Sequence, residues 1–310
     1  MSAHPTQTTT RSPEAHIIIG GGAGAGRTLL TEVLVESHSQ LGRRPVLGEI
    51  EDGDARLLRL FDLGRVRAHK FAPLAALEGA TPEAQAQLWP NPLAFAMAPA
   101  HAPVVLDVAD RATPSLLTYL CAFAQASPFA RDDGHHGAGL TIWAMWSSDA
   151  DQTTVSRLRS ILPGARLIAV ANGSASGQEP TIERLSITVC PSPEIMAALR
   201  DRLGLYGLVD MARSKVRAEE MANELGLSHA EFAKILAPIL SWIETTVRDV
   251  IALLQVHPGD ADSDIEGGAR TQDARSLTTA IPEALASTPI ATAEPVASEA
   301  ALPPMAGRHR

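Results

Sequence analysis

Short apolar runs alternate with amphipathic segments along most of the chain. The runs have the length and the β-branched content of buried strands, and the segments between them have helical spacing. Repeated strand–helix–strand units with nearly continuous apolar strands predict an α/β fold with a doubly wound, mostly parallel sheet. The predicted strands are 17–19, 45–50, 103–107, 140–146, 166–172 and 183–190, and the predicted helices between them are 28–41, 114–126 and 153–162.

From Pro193 onward the pattern is helical throughout. Ser228 and Glu231 have the spacing of a capping box, which predicts a helix start. A long amphipathic stripe follows and runs to Leu254, with Pro238 as a predicted kink. Such a stripe is typical of a helix that covers the domain's own core, and it also suits a helix used for self-association or for binding a protein partner.

Both ends of the chain differ in composition from the middle. Residues 1–15 are polar and are expected to be a flexible lead. Residues 258–310 contain no aromatic residue, are rich in Ala, Pro, Ser and Thr, and include an acidic cluster. Because such a segment buries too little apolar surface to offset its ordering entropy, we expect a disordered tail. The predicted domain is therefore 16–257, with its C-terminal helices in 193–257.

Charge and cysteine content narrow the function classes. The net charge is −9 and no block of Lys and Arg occurs, so a large nucleic-acid-binding face is not indicated and DNA contact stays open. Cys121 and Cys190 lack metal or redox spacing. No apolar stretch has the length of a membrane span, and residues 1–15 lack the apolar core of a secretory signal, so a cytoplasmic protein is expected.

The strongest local signal is the glycine run that follows the first strand. Five of the seven residues from Gly20 to Gly26 are glycine, and a helix begins near Arg27 and Thr28. Backbone amides of such a turn, together with the helix N-terminus, can close around an anion. Strand, loop and helix therefore predict a phosphate-binding site.

Two phosphate-binding motifs overlap in this run. Residues Gly21 to Thr28 fit the nucleoside-triphosphate loop G-x-x-x-x-G-K-[ST] except that Arg27 replaces the lysine. Gly20, Gly22 and Ala25 also satisfy the looser dinucleotide pattern G-x-G-x-x-G/A. Motif completeness favours the triphosphate, because Arg27 and Thr28 have no special role in the dinucleotide scheme.

Polar side chains close several of the later predicted strands. Glu49 and Glu51 follow the second strand, Asp107 ends another, and Asn172 ends a third. Ligands of open α/β sheets bind at these strand ends, where carboxylates can hold a metal ion that accompanies a triphosphate. Asn172 precedes Gly173, and Asn-Gly is also simply a good turn.

These features resemble the MinD/ParA family of deviant P-loop ATPases, from the glycine loop through Glu51. The resemblance implies ATP in a loop formed by Gly22, Ala23, Gly24, Ala25, Gly26, Arg27 and Thr28. It further implies Mg²⁺ held by Thr28, Glu49 and Asp107, adenine contact by Asn172, and catalytic roles for Arg27 and for Glu51, which would orient the attacking water. A homodimer switched by ATP is expected, with a function in plasmid partition, positioning of an assembly or conjugative transfer.

The chain departs from this family at two lysines. Gly22 stands where the signature lysine before the glycines is usual, and Arg27 replaces the main phosphate lysine. The planar guanidinium is bulkier than an ammonium group, so weak or lost hydrolysis is expected. A pseudo-ATPase that binds partners and a dinucleotide-dependent (FAD or NAD) oxidoreductase are the alternatives.

Overall fold

The computed structural model describes residues 14–21, 25–50, 57, 66–71, 80–81, 84–85, 87–96, 102–123, 139–146, 149–172 and 182–255. The predicted flexible lead up to residue 13 and the predicted tail 258–310 lie outside the described residues. Four predicted site residues also lie outside them, namely Gly22, Ala23, Gly24 and Glu51.

The sheet has seven strands, all parallel, in the order β3-β2-β4-β1-β5-β6-β7. The central strands are buried along their whole length, as both faces of a parallel sheet in an α/β protein must be. The strands are β1 Ala15–Ile19, β2 Val46–Ile50, β3 Arg67–Lys70, β4 Val104–Val108, β5 Leu140–Trp146, β6 Arg166–Asn172 and β7 Glu183–Ile187.

Helices cover both faces of this sheet, which confirms the predicted doubly wound α/β fold. One face packs against α1, α5, α6 and α7, and the other against α2, α3 and α4. Among the described residues, the helices are α1 Arg27–Gln40, α2 Pro90–Ala96, α3 Thr113–Phe123, α4 Asp149–Ile161, α5 Pro193–Ala212, α6 Lys215–Glu224 and α7 His229–Gln255, with a 3-10 turn at Asp110–Ala112 before α3.

Helix α1 lies between the sheet and the C-terminal helices, and its residues from Leu29 to His38 are all buried. Polar side chains in this stretch are therefore tied into the structure. The Glu32 carboxylate accepts a hydrogen bond from the backbone N–H of Leu205 at 2.5 Å. The Ser37 hydroxyl donates to the carbonyl of Val33 at 2.7 Å. Helix α1 is thus held along its whole length.

The long C-terminal helix α7 uses its apolar stripe inside the core of this chain. Ser228 and Glu231 form the predicted capping box, with backbone-to-side-chain bonds in both directions. Pro238 lies inside the helix. The Trp242 indole donates to the carbonyl of Thr188 at 2.8 Å and fixes the helix beside the end of β7. The buried residues of the stripe include Phe232, Leu236, Ile239, Ile243, Val247, Val250 and Leu254.

Two elements have no counterpart in the apolar pattern, namely β3 and α2. β3 is an edge strand whose side chains are mostly exposed, so it carries no apolar signal. Helix α2 lies in the proline-rich stretch and has only seven residues. β7 ends at Ile187 rather than at Cys190, and α3 is described as far as Phe123, so the last residues of its predicted range lie outside the described part of the chain. Among the described helices, none combines the length and the apolarity needed to cross a membrane.

Candidate functional site

The glycine loop lies where the sheet changes winding direction. β1 is followed by α1 on one face, and its neighbour β4 is followed by α3 on the other face. The two connections therefore leave a crevice at the carboxyl ends of β1 and β4, which is where open α/β sheets bind ligands. Gly20 and Gly21 begin the loop at this point, and Gly26 ends it directly before α1.

Three glycines of the loop have backbone conformations that other residues rarely adopt. Gly20, Gly21 and Gly26 have φ angles of 75°, 65° and 93°. A Cβ atom on Gly21 would lie 2.5 Å from the Cβ of Met145, and one on Gly26 would lie 2.3 Å from the Nδ2 of Asn172. Gly21 and Gly26 are therefore packed closely against the ends of β5 and β6, and glycine is required at both positions.

Asn172 fastens the loop to the end of β6. Its side-chain amide donates a hydrogen bond to the carbonyl oxygen of Ala25 at 3.0 Å. One of its two amide hydrogens is thus used within the chain, next to Gly26. The predicted adenine contact of Asn172 stays a prediction, and an anchoring role is added to it.

Thr113 anchors the other end of the loop, a contact that the sequence reasoning missed. The Thr113 hydroxyl accepts a hydrogen bond from the backbone N–H of Gly20 at 3.3 Å. The same hydroxyl donates to the carbonyl of Ala109 at 3.5 Å. A threonine at the start of the helix after β4 was the available signal, but nothing in the sequence indicated that Gly20 lies opposite it.

Arg27 and Asp107 form an ion pair across the crevice. The Nε–H of Arg27, the first residue of α1, donates to Oδ1 of Asp107 at 2.7 Å. The two side chains are 13% and 2% exposed, so the pair is largely screened from water. A charge-assisted bond in such surroundings is stronger than one at the surface. The structure therefore brings two of the predicted site residues into direct contact.

Glu49 lies beside Asp107 on the neighbouring strand. The two residues are paired in the register of β2 and β4, so their side chains project from the same face of the sheet. Glu49 is fully buried, and its Oε1 accepts the backbone N–H of Leu57 at 3.4 Å. Thr28 is the second residue of α1 and is partly buried. The predicted carboxylates at the ends of β2 and β4 are thus neighbours.

The start of α1 offers donors to an anion. Its N-cap is Gly26, which supplies no side-chain cap, and its first turn holds no acidic residue. The first amides of a helix have no partner within the helix and carry a partial positive charge. Together with the Arg27 guanidinium, they are donors at this end of the crevice, where Asp107 balances the charge of Arg27. The arrangement can bind a phosphate group.

A second polar cluster lies at the opposite, amino end of the sheet, and its geometry is that of a candidate metal centre. Ligand atoms of Glu14, His16 and His38 all lie within 4.8 Å of one another, and no such group of three or more occurs elsewhere in the part of the chain that the structure describes. The two imidazole Nε2 atoms are 3.0 Å apart, and Glu14 Oε1 lies 3.6 Å from Nε2 of His16. These spacings alone would suit a tetrahedral ion.

The hydrogen-bond pattern of this cluster excludes that use of His16. The indole N–H of Trp143 points at Nδ1 of His16 over 3.2 Å, and an indole nitrogen can only donate. Nδ1 therefore accepts, and in the neutral ring the hydrogen sits on Nε2, directed at His38. A metal on Nε2 would move that hydrogen to Nδ1, where it would face the indole N–H. The space between the two imidazole rings is thus occupied by the Nε2 hydrogen of His16 and does not hold a metal ion.

Glu14 closes this cluster on its outer side. Both of its carboxylate oxygens accept from Nη1 of Arg43 at 2.8 Å. Burial alone would raise the pKa of Glu14, but the hydrogen bond with His16 and the nearby positive charge, that of Arg43 included, outweigh it and lower the pKa to about 2. The amino end of the sheet is therefore a charge-balanced structural cluster.

Comparison with known proteins adds no family to these observations, since no family model matches the chain and no curated protein matches its sequence.

Proposed function

We propose that this chain is a nucleotide-binding protein of the MinD/ParA type, in which ATP occupies the glycine loop and switches a homodimer. The proposal extends to a function in plasmid partition, positioning of an assembly or conjugative transfer, with weak or lost hydrolysis. In such proteins the bound γ-phosphate completes an interface, and its loss releases the partner.

One observation carries this proposal, namely the ion pair that joins the start of α1 to the end of β4. Arg27 follows the glycine loop directly and bonds to Asp107 at the carboxyl end of β4. The loop, the cation and the carboxylate therefore meet in the crevice between adjacent strands of opposite winding. Glycine-loop nucleoside-triphosphate sites are built from these parts in this relation.

The strand order speaks against the dinucleotide alternative. In the dinucleotide-binding fold, the second strand lies directly beside the first, and its terminal carboxylate takes the ribose hydroxyls. Here β4 lies between β1 and β2. Glu49 is therefore two strands away from β1, roughly 9.6 Å along the sheet. This distance and the side chain of Asp107 separate Glu49 from the loop.

A pseudo-ATPase is the second candidate, and the same ion pair favours it. The bond to Asp107 directs Arg27 toward the strand, whereas phosphoryl transfer requires a cation placed on the β/γ-phosphates. Such a protein binds the nucleotide without turning it over. Contact with a protein partner through the C-terminal helices would then use surfaces other than the buried stripe of α7.

Calorimetric titration with ATP, followed by light scattering for mass, tests the proposal. We expect saturable binding by the wild-type protein and a doubled mass with ATP. Arg27→Ala should weaken binding at least about tenfold, the scale of one lost charged hydrogen bond. Arg166→Ala is the matched control, because Arg166 is 15% exposed and pairs with Glu183, away from the loop.

The control separates loss of a ligand contact from loss of a buried ion pair. Melting temperatures of both variants, measured without ligand, show how far each pair supports the fold. An equal loss of ATP binding in both variants, or no effect of ATP on binding heat, mass or melting temperature, would sink the proposal.

A further inference from the structure

We infer that the loop holds its phosphate anion without a magnesium ion, and that the guanidinium of Arg27 serves as the counter-cation. This inference rests on the proposed nucleotide binding and adds to it the ionic form of the ligand, the metal-free nucleotide.

The residues predicted to hold Mg²⁺ do not fit that ion in this structure. Asp107 is engaged through Oδ1 by Arg27 at 2.7 Å, and its charge is balanced there. Glu49 is fully buried and accepts the N–H of Leu57. Mg²⁺ demands a nearly octahedral set of oxygen ligands and keeps several waters. A bound Mg²⁺ would have to replace the guanidinium at Asp107, and its waters would have to enter a region where both carboxylates are screened from solvent.

Arg27 is placed to supply a positive charge in place of the metal. Its bond to Asp107 uses Nε–H, one of five guanidinium hydrogens, and its terminal nitrogens make no hydrogen bond within the part of the chain that the structure describes. Because Arg27 is the first residue of α1, its side chain is attached beside the first backbone amides of that helix. A phosphate at the loop would therefore meet the amides and a guanidinium that Asp107 holds in place.

Without a metal ion, Asp107 has a different role from the one it would have in a magnesium site. In a magnesium site the carboxylate attracts the metal and so strengthens nucleotide binding. Here it orients Arg27 and also lowers the net positive charge that faces the phosphate. Removing its charge while keeping its shape should therefore have opposite effects under the two arrangements.

The first test compares ATP titrations of the wild-type protein in excess MgCl₂ and in excess EDTA. We expect binding to be at least about threefold tighter in EDTA, because excess Mg²⁺ converts most of the ATP into its magnesium complex and leaves little of the metal-free nucleotide. Mn²⁺ serves as a spectroscopic probe, and its electron paramagnetic resonance signal should report no site on the protein beyond the Mn²⁺ that ATP itself binds. Binding that is as tight in MgCl₂ as in EDTA, or tighter, would overturn the inference and leave the proposed function in place.

The second test uses Asp107→Asn in EDTA, with Asp110→Asn as the matched control. Asp110 is exposed on the turn after β4, and its substitution removes the same charge from the same region. We expect Asp107→Asn to bind ATP about threefold or more tightly than the wild type, and Asp110→Asn to bind as the wild type does. Weaker binding by a folded Asp107→Asn, as judged by its melting curve, would contradict the inference.

Failure of the two proposals can be told apart. If ATP binds in neither MgCl₂ nor EDTA, the proposed function is wrong and the inference is wrong with it. The titration of the wild-type protein needs no variant, so the inference stays testable if Asp107→Asn does not fold.

Discussion

The two ends of the sheet contain the same chemical pair in opposite settings. Each end has an arginine close to one end of α1 and a carboxylate on or beside a central strand. At the carboxyl end Arg27 donates one hydrogen bond to Asp107. This pair lies beside the glycine loop and the start of α1, which has no side-chain cap. At the amino end Arg43 bonds to both oxygens of Glu14, which also faces two histidines.

The difference shows how a binding site and a structural cluster can be distinguished when both look functional. The amino end has the residue types of a metal centre, but Trp143 fixes the histidine protons so that His16 has no lone pair left for a metal. At the carboxyl end, Gly26, which has a positive φ, lies directly before Arg27 and the first amides of α1. Hydrogen-bond direction, rather than residue type, therefore sets the structural cluster at the amino end apart from the proposed site at the carboxyl end.

The largest effect should come from closing the space at the glycine loop. In Gly26→Ala, the new Cβ would lie 2.3 Å from Asn172 Nδ2 on a residue with φ 93°. Backbone strain and displacement of Asn172 together should cost about 2–4 kcal/mol of unfolding free energy. Urea denaturation measures the change.

Gly42→Ala is the control at the amino end of the sheet. Gly42 has φ 72°, but a Cβ added there would have no atom within 4 Å. The variant should therefore suffer only the backbone strain, about 1 kcal/mol. Equal costs for the two variants would mean that the contact with Asn172 does not matter.

The next largest effect concerns the free energy of unfolding in acid, which should depend on Glu14 at the amino end of the sheet. The pKa of Glu14 is about 2, below its ordinary value of 4.5. Its stabilisation is therefore fully present above pH 4.5 and is lost as the pH falls toward 2. Glu14→Gln should cost about 2 kcal/mol at neutral pH, a figure reduced from the full shift because the carboxylate is partly solvated, and the cost should vanish in acid.

Denaturation curves at a series of pH values measure this dependence. Glu219→Gln, on an exposed pair with Lys215, controls for the change in net charge. A Glu14→Gln penalty that persists at pH 2 would contradict the assignment of the stabilisation to the Glu14 carboxylate.

A smaller effect, about 1 kcal/mol, is expected for Trp143→Phe, which removes the donor to His16. Without the indole N–H, His16 can carry its hydrogen on Nδ1, and its Nε2 can bind zinc. We expect a changed tautomer in ¹⁵N NMR spectra and a gain of zinc affinity of roughly tenfold or more. Trp146→Phe, on the other face of the same strand, should change neither. Tight zinc binding by the wild-type protein would contradict the conclusion that a hydrogen, rather than a metal ion, lies between His16 and His38.

The smallest expected effect has the opposite sign to that of Glu14. Burial raises the pKa of Glu36 on α1, although the hydrogen bond from Gln40 and the charge of Arg213 oppose the shift. The ionised carboxylate therefore costs stability above its folded pKa, and the cost is relieved as the pH falls. Glu36→Gln should stabilise the protein at neutral pH by about 0.5 kcal/mol. Thermal melting at about pH 7 and about pH 4 checks the sign, and a destabilised variant at neutral pH would contradict it.

The apolar pattern predicted the fold because a parallel sheet buries its strands on both faces. β1, β2, β4, β5 and β6 were each visible as short apolar runs. The strand order was not predictable in this way, because every buried parallel strand has the same pattern. β3 escaped notice because an edge strand needs no apolar face.

The residues of the candidate site were predictable from the sequence, but the hydrogen bonds between them were not. Glycine spacing indicated the loop, and strand ends indicated Glu49, Asp107 and Asn172. That Arg27 reaches Asp107, and that Asn172 reaches the carbonyl of Ala25, depends on distances across the sheet. The Thr113 contact spans 93 residues of sequence and left no local trace.

Helix α1 runs from the carboxyl end of the sheet to its amino end and so connects the two regions. Its first residue is Arg27, and its last turn carries His38, about 17 Å away at the rise of an α-helix. Because the helix is buried between the sheet and α7, it moves as a rigid rod or not at all. The NMR signals of the His16–His38 hydrogen bond, at the other end of α1 from the loop, should therefore report any displacement of this helix.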